Sequence, residues 1–177
     1  MPPATASPAP LEPELLSDQL RSGICDDIDF SVMQPIYGDP SPFGVAENRT
    51  NEWVRCVLAS HGLVDGEIQR PGGIAVAHFE VFRTAELAEE AYEEGSTPTS
   101  DVLTGIDQLA VDQATSTVSS GNVKIMMITD NVDIEVEITT PGGTEALGDL
   151  ADEQRAAAMQ LAESVIAAFQ SQAEPVR

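Results

Sequence analysis

The chain has 177 residues, 42% of them hydrophobic, which is enough for one domain with a substantial core. Its 30 acidic side chains against 8 basic ones give a formal net charge of −22. This balance excludes nucleic acids and anionic membranes as partners, because no basic patch is present to replace their counterions, and it favours cations and basic proteins. No apolar run of about 18 residues is present to predict a membrane span.

A Pro- and Ala-rich segment opens the chain. It begins Met-Pro-Pro-Ala-Thr-Ala-Ser-Pro-Ala-Pro, a composition typical of the stretch behind a removed export signal or a lipid-anchored cysteine. The alternative is the ordinary N-terminus of a cytosolic protein. We expect residues 1–22 to be a linker or tether, in which leucines at helical spacing allow a short helix. We expect residues 23–172 to form a single domain and residues 173–177 a C-terminal tail.

The first half of the domain predicts one short helix and two strands. Apolar residues at helical spacing predict the helix over residues 29–37. A proline- and glycine-rich loop follows. Residues 53–58 and 74–82 predict the strands. The second strand is apolar on both faces except at His78 and Glu80, so we expect it in the middle of a sheet.

The second half predicts a helix, three strands and a long closing helix. Thr84 is placed to cap the first helix. Residues 109–118, 123–129 and 132–140 predict strands joined by tight turns, and acidic and apolar residues alternate in the last of them. Residues 149–170 predict the closing helix. Its apolar stripe consists of Ala158, Leu161, Ala162, Val165, Ile166 and Phe169.

The predicted order of elements is therefore α-β-β-α-β-β-β-α. Runs of adjacent strands with helices between them favour an α+β fold. We expect an antiparallel sheet of about five strands, with helices packed mainly on one face.

Cys25 and Cys56 are the two cysteines of the chain. No third thiol competes for either, and no CxxC motif or histidine-rich stretch favours a metal. The pair is typical of one structural disulfide, and therefore of an exported protein outside the reducing cytosol. A redox pair is the alternative. Redox cysteines usually sit close together at a helix N-terminus, whereas these two are about thirty residues apart.

No catalytic motif is recognisable, since neither GxSxG nor HExxH nor a lysine-containing phosphate loop occurs. His78 with Glu80 is the one starting point for acid–base chemistry, and a hydrogen-bonded structural histidine is the alternative. We predict no catalytic residue, no cofactor and no enzymatic activity. Trp53, His78 and Phe82 are the candidates for binding a ligand or partner, on the sheet face or in a cleft beside it. For the two aromatic residues the alternative is a place in the core.

Acidic residues cluster at Asp26, Asp27 and Asp29. A calcium-binding loop is one interpretation, but the glycine and closing glutamate of an EF-hand are absent. Solvated side chains and helix caps are the other interpretation, and we predict no metal site.

Several segments together resemble a known group of proteins. They are Cys25-Asp26-Asp27-Ile28-Asp29-Phe30, Arg55-Cys56-Val57, Thr104-Gly105-Ile106-Asp107-Gln108-Leu109-Ala110, a Gly-Asn-Val hairpin and the alanine-rich closing helix. In these the chain is similar to exported lipoproteins and sensor-kinase ectodomains of actinobacteria, several of which resemble the PsbP-like α+β fold. The tryptophan that often follows the second cysteine in that group is absent, because Val57 and Leu58 stand there.

The resemblance implies a non-catalytic domain of the cell envelope, secreted or lipid-anchored, that binds a protein partner or a small ligand. It implies membrane contact only through an N-terminal anchor ahead of this chain. The acidic charge supports a second hypothesis: an inhibitor, immunity-type protein or nucleic-acid mimic that occupies a basic site on its target.

Overall fold

The computed structural model describes residues 20–37, 44–60, 64–65, 68–69, 72–96, 103–119, 121–140 and 151–172. The predicted tether up to residue 19, the predicted tail and Asp149, the predicted start of the closing helix, lie outside the described residues. The domain boundaries therefore stay predictions.

Strands and helices alternate in groups along the described chain. The strands, β1 to β8, are Val45–Arg49, Trp53–Ser60, Val64–Asp65, Ile68–Gln69, Gly73–Val81, Gln113–Ser119, Asn122–Thr129 and Val132–Thr139. The α-helices, α1 to α3, are Gln34–Tyr37, Ala85–Gly95 and Ala151–Gln172. Short 3₁₀ turns are formed by Ile24–Asp27, Phe30–Met33 and Ile106–Gln108. The molecule thus has the predicted α+β fold.

Six strands form one sheet in the order β1-β2-β5-β8-β7-β6, with every neighbouring pair antiparallel. The two remaining strands, β3 and β4, form a separate antiparallel pair. The predicted tight turns join β6, β7 and β8, and in the second turn Asp130 adopts a positive φ of 53°, a conformation that aspartate tolerates. Because β5 pairs with both β2 and β8, its predicted central position is confirmed.

Over the inner strands β2, β5, β7 and β8, the face of the sheet covered by α3 is apolar. Strand alternation turns these buried side chains toward the helix: Val54, Cys56, Leu58, Ala75, Ala77, Phe79, Ile125, Met127, Ile134, Val136 and Ile138. The predicted stripe of α3 meets them, with Leu161 and Val165 fully buried and Phe169 stacked on Phe79 at 6.3 Å between ring centroids. Each fully buried side chain of this size contributes about 1.5–3 kcal/mol.

Whereas α1 lies on the side of α3, the helix α2 packs on the opposite face of the sheet from α3. Its N-terminus is capped by Thr84 as predicted, with the Thr84 hydroxyl accepting from the Leu87 N–H at 3.3 Å. The buried side chains of Ala88 and Tyr92 cluster with Met126 and Ile128 of β7. The strand β7 is apolar on both faces at these positions, so a helix packs on each face and shields it from solvent.

The expected count of about five strands is wrong because β1 was predicted to be part of a loop. Its side chains alternate between half-buried and exposed, but Glu47 and Arg49 occupy two of the inward positions and conceal the pattern. Two further elements differ in detail. The predicted helix 29–37 is a 3₁₀ turn followed by the four residues of α1, and the strand predicted from residue 109 begins at Gln113.

The predicted disulfide between Cys25 and Cys56 is present, with 5.4 Å between the Cα atoms. Cys56 lies within β2 and Cys25 within the first 3₁₀ turn, and both side chains are buried. The bond therefore ties the start of the described chain to the sheet from inside the core.

Side chains of β1 reinforce this attachment. Arg49 donates to the carbonyl oxygens of Leu20 and Arg21 at 2.9 and 2.8 Å. Glu47 accepts from the backbone N–H of Gly23 at 3.1 Å and forms an ion pair with Arg49 at 3.0 Å. Residues 20–25 thus cover the edge strand, and their backbone groups form hydrogen bonds with its inward-facing Glu47 and Arg49 side chains.

Candidate functional site

The face of the sheet that carries α2 also displays a group of charged and aromatic side chains on strands β2, β5, β7 and β8. Alternation along each strand turns these side chains away from the α3-covered core. We call this surface the charged face. It consists of Trp53, Arg55, His78, Glu80, Lys124, Asp133 and Glu135.

His78 lies at the centre of the charged face. It stands directly across from Arg55 on one neighbouring strand and from Glu135 on the other. Its ring lies 5.7 Å from that of Trp53, tilted by 38°, and both side chains are half-buried. Burial lowers the pKa of His78 below its ordinary value, and the nearby Arg55 and Lys124 add to the lowering. Glu135 opposes them. At neutral pH the ring is therefore a neutral group that can both donate and accept a hydrogen bond.

Two carboxyl groups in the next row hold protons more tightly than usual. Asp133 stands directly across from Glu80. Burial, then the charges of Glu135 and Glu80, raises the pKa of Asp133 to about 6, although Lys124 and a hydrogen bond from the Ile134 backbone N–H act against the shift. Burial also raises the pKa of Glu80, with Glu52 and Glu135 adding to it. Their ionised forms are poorly compensated in the protein by itself.

Asp133 has one oxygen atom without a partner. Its Oδ1 is shielded from solvent and accepts no hydrogen bond from the described residues. The charge of Asp133 also affects Tyr92 of α2: burial, and then Asp133, raises the pKa of the Tyr92 hydroxyl. Glu135 differs, because Lys124 Nζ lies 2.5 Å from its carboxylate. Asp133 is thus the least compensated acid of the charged face.

Phe82, the third predicted binding residue, lies at the end of β5 on the same side of the sheet. It packs against the α2 cluster of Ala88, Tyr92, Met126 and Ile128. Its backbone is fixed by Asn131, whose side-chain amide donates to the Phe82 carbonyl at 2.7 Å. The structure therefore brings Trp53 and His78 into contact and places Phe82 beneath α2. A binding role for any of the three stays a prediction.

Asp133, Glu135 and Lys124 were not among the sequence-predicted site residues. The alternation along residues 132–140 indicated that the two acids face away from the core, and solvent exposure was the simplest interpretation of that pattern. Only the register of β8 against β5 reveals that they stand beside His78 and Glu80. That register cannot be read from local sequence.

Two cavities among the described residues lie away from the charged face. One, of about 300 Å³, is lined by Ala85, Glu89, Asp112, Gln113, Ile128 and Asp130 at the start of α2. The other, of about 540 Å³, lies along α3 and includes Leu103, Arg155 and Met159. Neither contains Trp53 or His78.

Two of the three acids considered for calcium, Asp27 and Asp29, have partners within the chain. Asp27 is ion-paired with Arg21, and Asp29 caps the second 3₁₀ turn by accepting from the Ser31 N–H at 2.9 Å, a hydrogen bond that lowers its pKa. Within the described ranges, no group of three or more His, Cys, Asp or Glu side chains is arranged to hold a metal ion. Among the helices described, none combines the length and the apolar character required to cross a membrane.

Comparison of the chain with protein-family models, with curated proteins and with solved structures gave no match in any of the three.

Proposed function

We propose that this protein is a non-catalytic, exported domain of the cell envelope that binds a protein partner or a small ligand through its charged face. In the native precursor it is lipid-anchored or secreted, in line with the resemblance to actinobacterial lipoproteins and sensor ectodomains. Residues 1–22 then act as the tether between anchor and domain.

The disulfide supports the compartment. Cys25 and Cys56 are 3% and 0% exposed, so the bond is enclosed by the core. Its position inside the sheet suits a permanent cross-link, because a redox-active pair needs an accessible thiol with a lowered pKa. Such permanent bonds are maintained in oxidising compartments.

The observation that carries the binding proposal is the state of Asp133 next to the Trp53–His78 pair. A half-buried, poorly compensated carboxylate lowers the stability of the folded chain at neutral pH, and an uncharged side chain at this position would avoid that cost. Groups held in unfavourable electrostatic surroundings concentrate at functional sites. An aromatic pair beside such a group is typical of a recognition surface.

The second hypothesis, an acidic inhibitor or mimic that occupies a basic site, is supported by α2. Glu86, Glu89, Glu90, Glu93 and Glu94 are all exposed along this helix. Asp112 and Asp130 lie next to it around the smaller cavity. A dense acidic surface of this kind speeds association with a basic partner.

Site-directed photo-crosslinking distinguishes these surfaces. A photoreactive amino acid replaces Arg55 on the charged face, Glu90 on α2 or Glu163 on α3, and each variant is expressed in its native cells. We expect a defined adduct from the Arg55 position that disappears when Trp53→Ala is added. An adduct from Glu90 alone favours the acidic inhibitor, and equal labelling from all three positions contradicts a specific surface. Titration of thiols in the unreduced, denatured protein tests the compartment, with no free thiol expected.

A further inference from the structure

The carboxylates of the charged face outnumber its bases. Glu80, Asp133 and Glu135 lie on two adjacent strands, and the charge of Glu52 reaches Glu80 from the turn before β2. Two bases belong to the charged face, and one of them, Lys124, is already ion-paired with Glu135. The surface therefore has a local excess of negative charge that a partner can neutralise.

Asp133 is where that excess is least compensated. Its buried Oδ1 accepts no hydrogen bond from the described residues, so negative charge on this oxygen is stabilised only by charges at a distance. A positive charge placed on the exposed side of the group would stabilise the ionised form without reaching Oδ1. In a partly buried setting this attraction is stronger than at a fully solvated surface.

Trp53 adds a surface suited to a cation. Its half-buried ring stands directly across from Glu80, and its other neighbour, His78, is neutral at neutral pH. Tryptophan is the best aromatic partner for an ammonium or guanidinium group, which binds over the ring face. Carboxylates beside the ring supply the ion pair that completes such a site.

We infer that the charged face binds an arginine or lysine side chain of a protein partner, with the cation held between the Trp53 ring and the carboxylates of Glu80 and Asp133. The inference rests on the proposed function and specifies the chemistry of the partner at that site.

A protein is favoured over a free small cation because of where these residues lie. They lie at neighbouring positions on three adjacent strands, so together they form an extended sheet surface. Small ligands need a concave site that buries most of their surface, but an extended surface with complementary charge is typical of protein association.

The single tryptophan of the chain makes a direct test possible, because its fluorescence reports on this site alone. The probe is acetyl-(Gly-Arg)₃-amide, and the control is the same peptide with neutral citrulline in place of arginine. We expect the arginine peptide to change Trp53 emission saturably and the citrulline peptide to leave it unchanged. Arginine amide and spermidine, as free cations, should bind more weakly than the peptide.

Variants locate the binding. Glu80→Gln and Asp133→Asn should each weaken peptide affinity about fivefold, as expected for loss of one ion pair. Glu163→Gln removes an equal charge from exposed α3 on the other side of the sheet, so it should have less than about a twofold effect. Asp133→Asn is not expected to unfold the chain, because it removes an unfavourable charge.

Equal weakening by Glu163→Gln would show diffuse attraction of the peptide to an acidic protein and would overturn the inference. Peptide binding that leaves the Trp53 indole signal in NMR spectra unchanged would overturn it as well. Spermidine binding as tightly as the peptide would assign the site to free cations instead. If crosslinking from Arg55 captures a partner equally well in the Glu80→Gln and Asp133→Asn variants, the inferred binding of a cationic side chain is wrong, while the proposed function stands. If neither partner nor peptide engages the face, both fail.

Discussion

The two faces of the six-stranded sheet differ in how well their side chains compensate one another. On the face beneath α3, the inward positions of the inner strands are apolar and buried, and the helix stripe fills the space above them. On the other face, α2 covers only the cluster around Met126 and Ile128, and charged groups with unfavourable surroundings stand beside it. The side chains of the first face stabilise the fold. The second face keeps ionisable groups, such as Glu80 and Asp133, that lower the stability of the folded chain.

Ile134→Ala is the strongest way to test the first face. Ile134 is 0% exposed on β8, and its removal leaves a cavity under α3. We expect a loss of about 3–4 kcal/mol in the free energy of unfolding, measured by urea denaturation. A loss below about 1 kcal/mol would show that this face is not the rigid core described here.

Removal of the disulfide should have the next largest effect. The double variant Cys25→Ser/Cys56→Ser opens a loop with a sequence separation of 31 residues, which should cost about 3–4 kcal/mol. Thermal unfolding with and without reductant provides the measurement. Reductant should lower the melting temperature of the wild type and leave that of the double variant unchanged.

Arg49→Ala tests the attachment of residues 20–25 to the edge of the first face. Two backbone carbonyl groups and Glu47 lose their donor, so we expect a loss of about 1–2 kcal/mol. Hydrogen exchange at Gly23 and Cys25 should accelerate. The matched control is Arg55→Ala, an exposed arginine on the adjacent strand, which should alter stability by less than about 0.5 kcal/mol.

Asp133→Asn should act in the opposite direction, although Asp133 is the immediate neighbour of Ile134. Because the pKa of Asp133 is raised from 3.8 to about 6 in the folded state, the unfolded chain ionises first. Stability from this group is therefore fully present below about pH 4 and is lost as the pH rises to about 6. After a discount for partial solvent screening, we expect the variant to gain about 1–2 kcal/mol at pH 7 and nothing below pH 4.

Urea denaturation across pH 3 to 8 measures this difference. Glu137→Gln is a matched control, because Glu137 lies four residues after Asp133 on the same face of β8. Its side-chain Oε1 accepts a hydrogen bond from the Asn122 side chain at 2.6 Å. A gain in that variant equal to the gain in Asp133→Asn would assign the effect to general charge repulsion.

Local patterns in the sequence predicted much of this fold. The stripe from Ala158 to Phe169, the Thr84 cap and the turn at Asp130 each depend on neighbouring residues, and each is confirmed. The disulfide was predictable because the chain offers just one pairing.

Features that depend on distant residues were not predictable. The strand β1 was not recognised because Glu47 and Arg49 occupy inward positions where apolar residues are expected. Their partners there are backbone groups of residues 20–25, which are distant in sequence. The side of the sheet that receives α2 depends on topology. In the candidate site, Trp53 and His78 were identified by residue type, whereas Asp133 and Glu135 needed the pairing of β5 with β8.

The central claim is that the charged face holds a carboxylate, that of Asp133, which the protein itself compensates poorly. The most direct test is an NMR titration of the Asp133 side-chain carboxyl carbon in the unliganded protein. We predict a midpoint near 6, which moves toward ordinary aspartate values when the arginine peptide is bound. A midpoint close to 3.8 in the free protein would contradict the claim, because Asp133 would then be as well solvated as any surface acid.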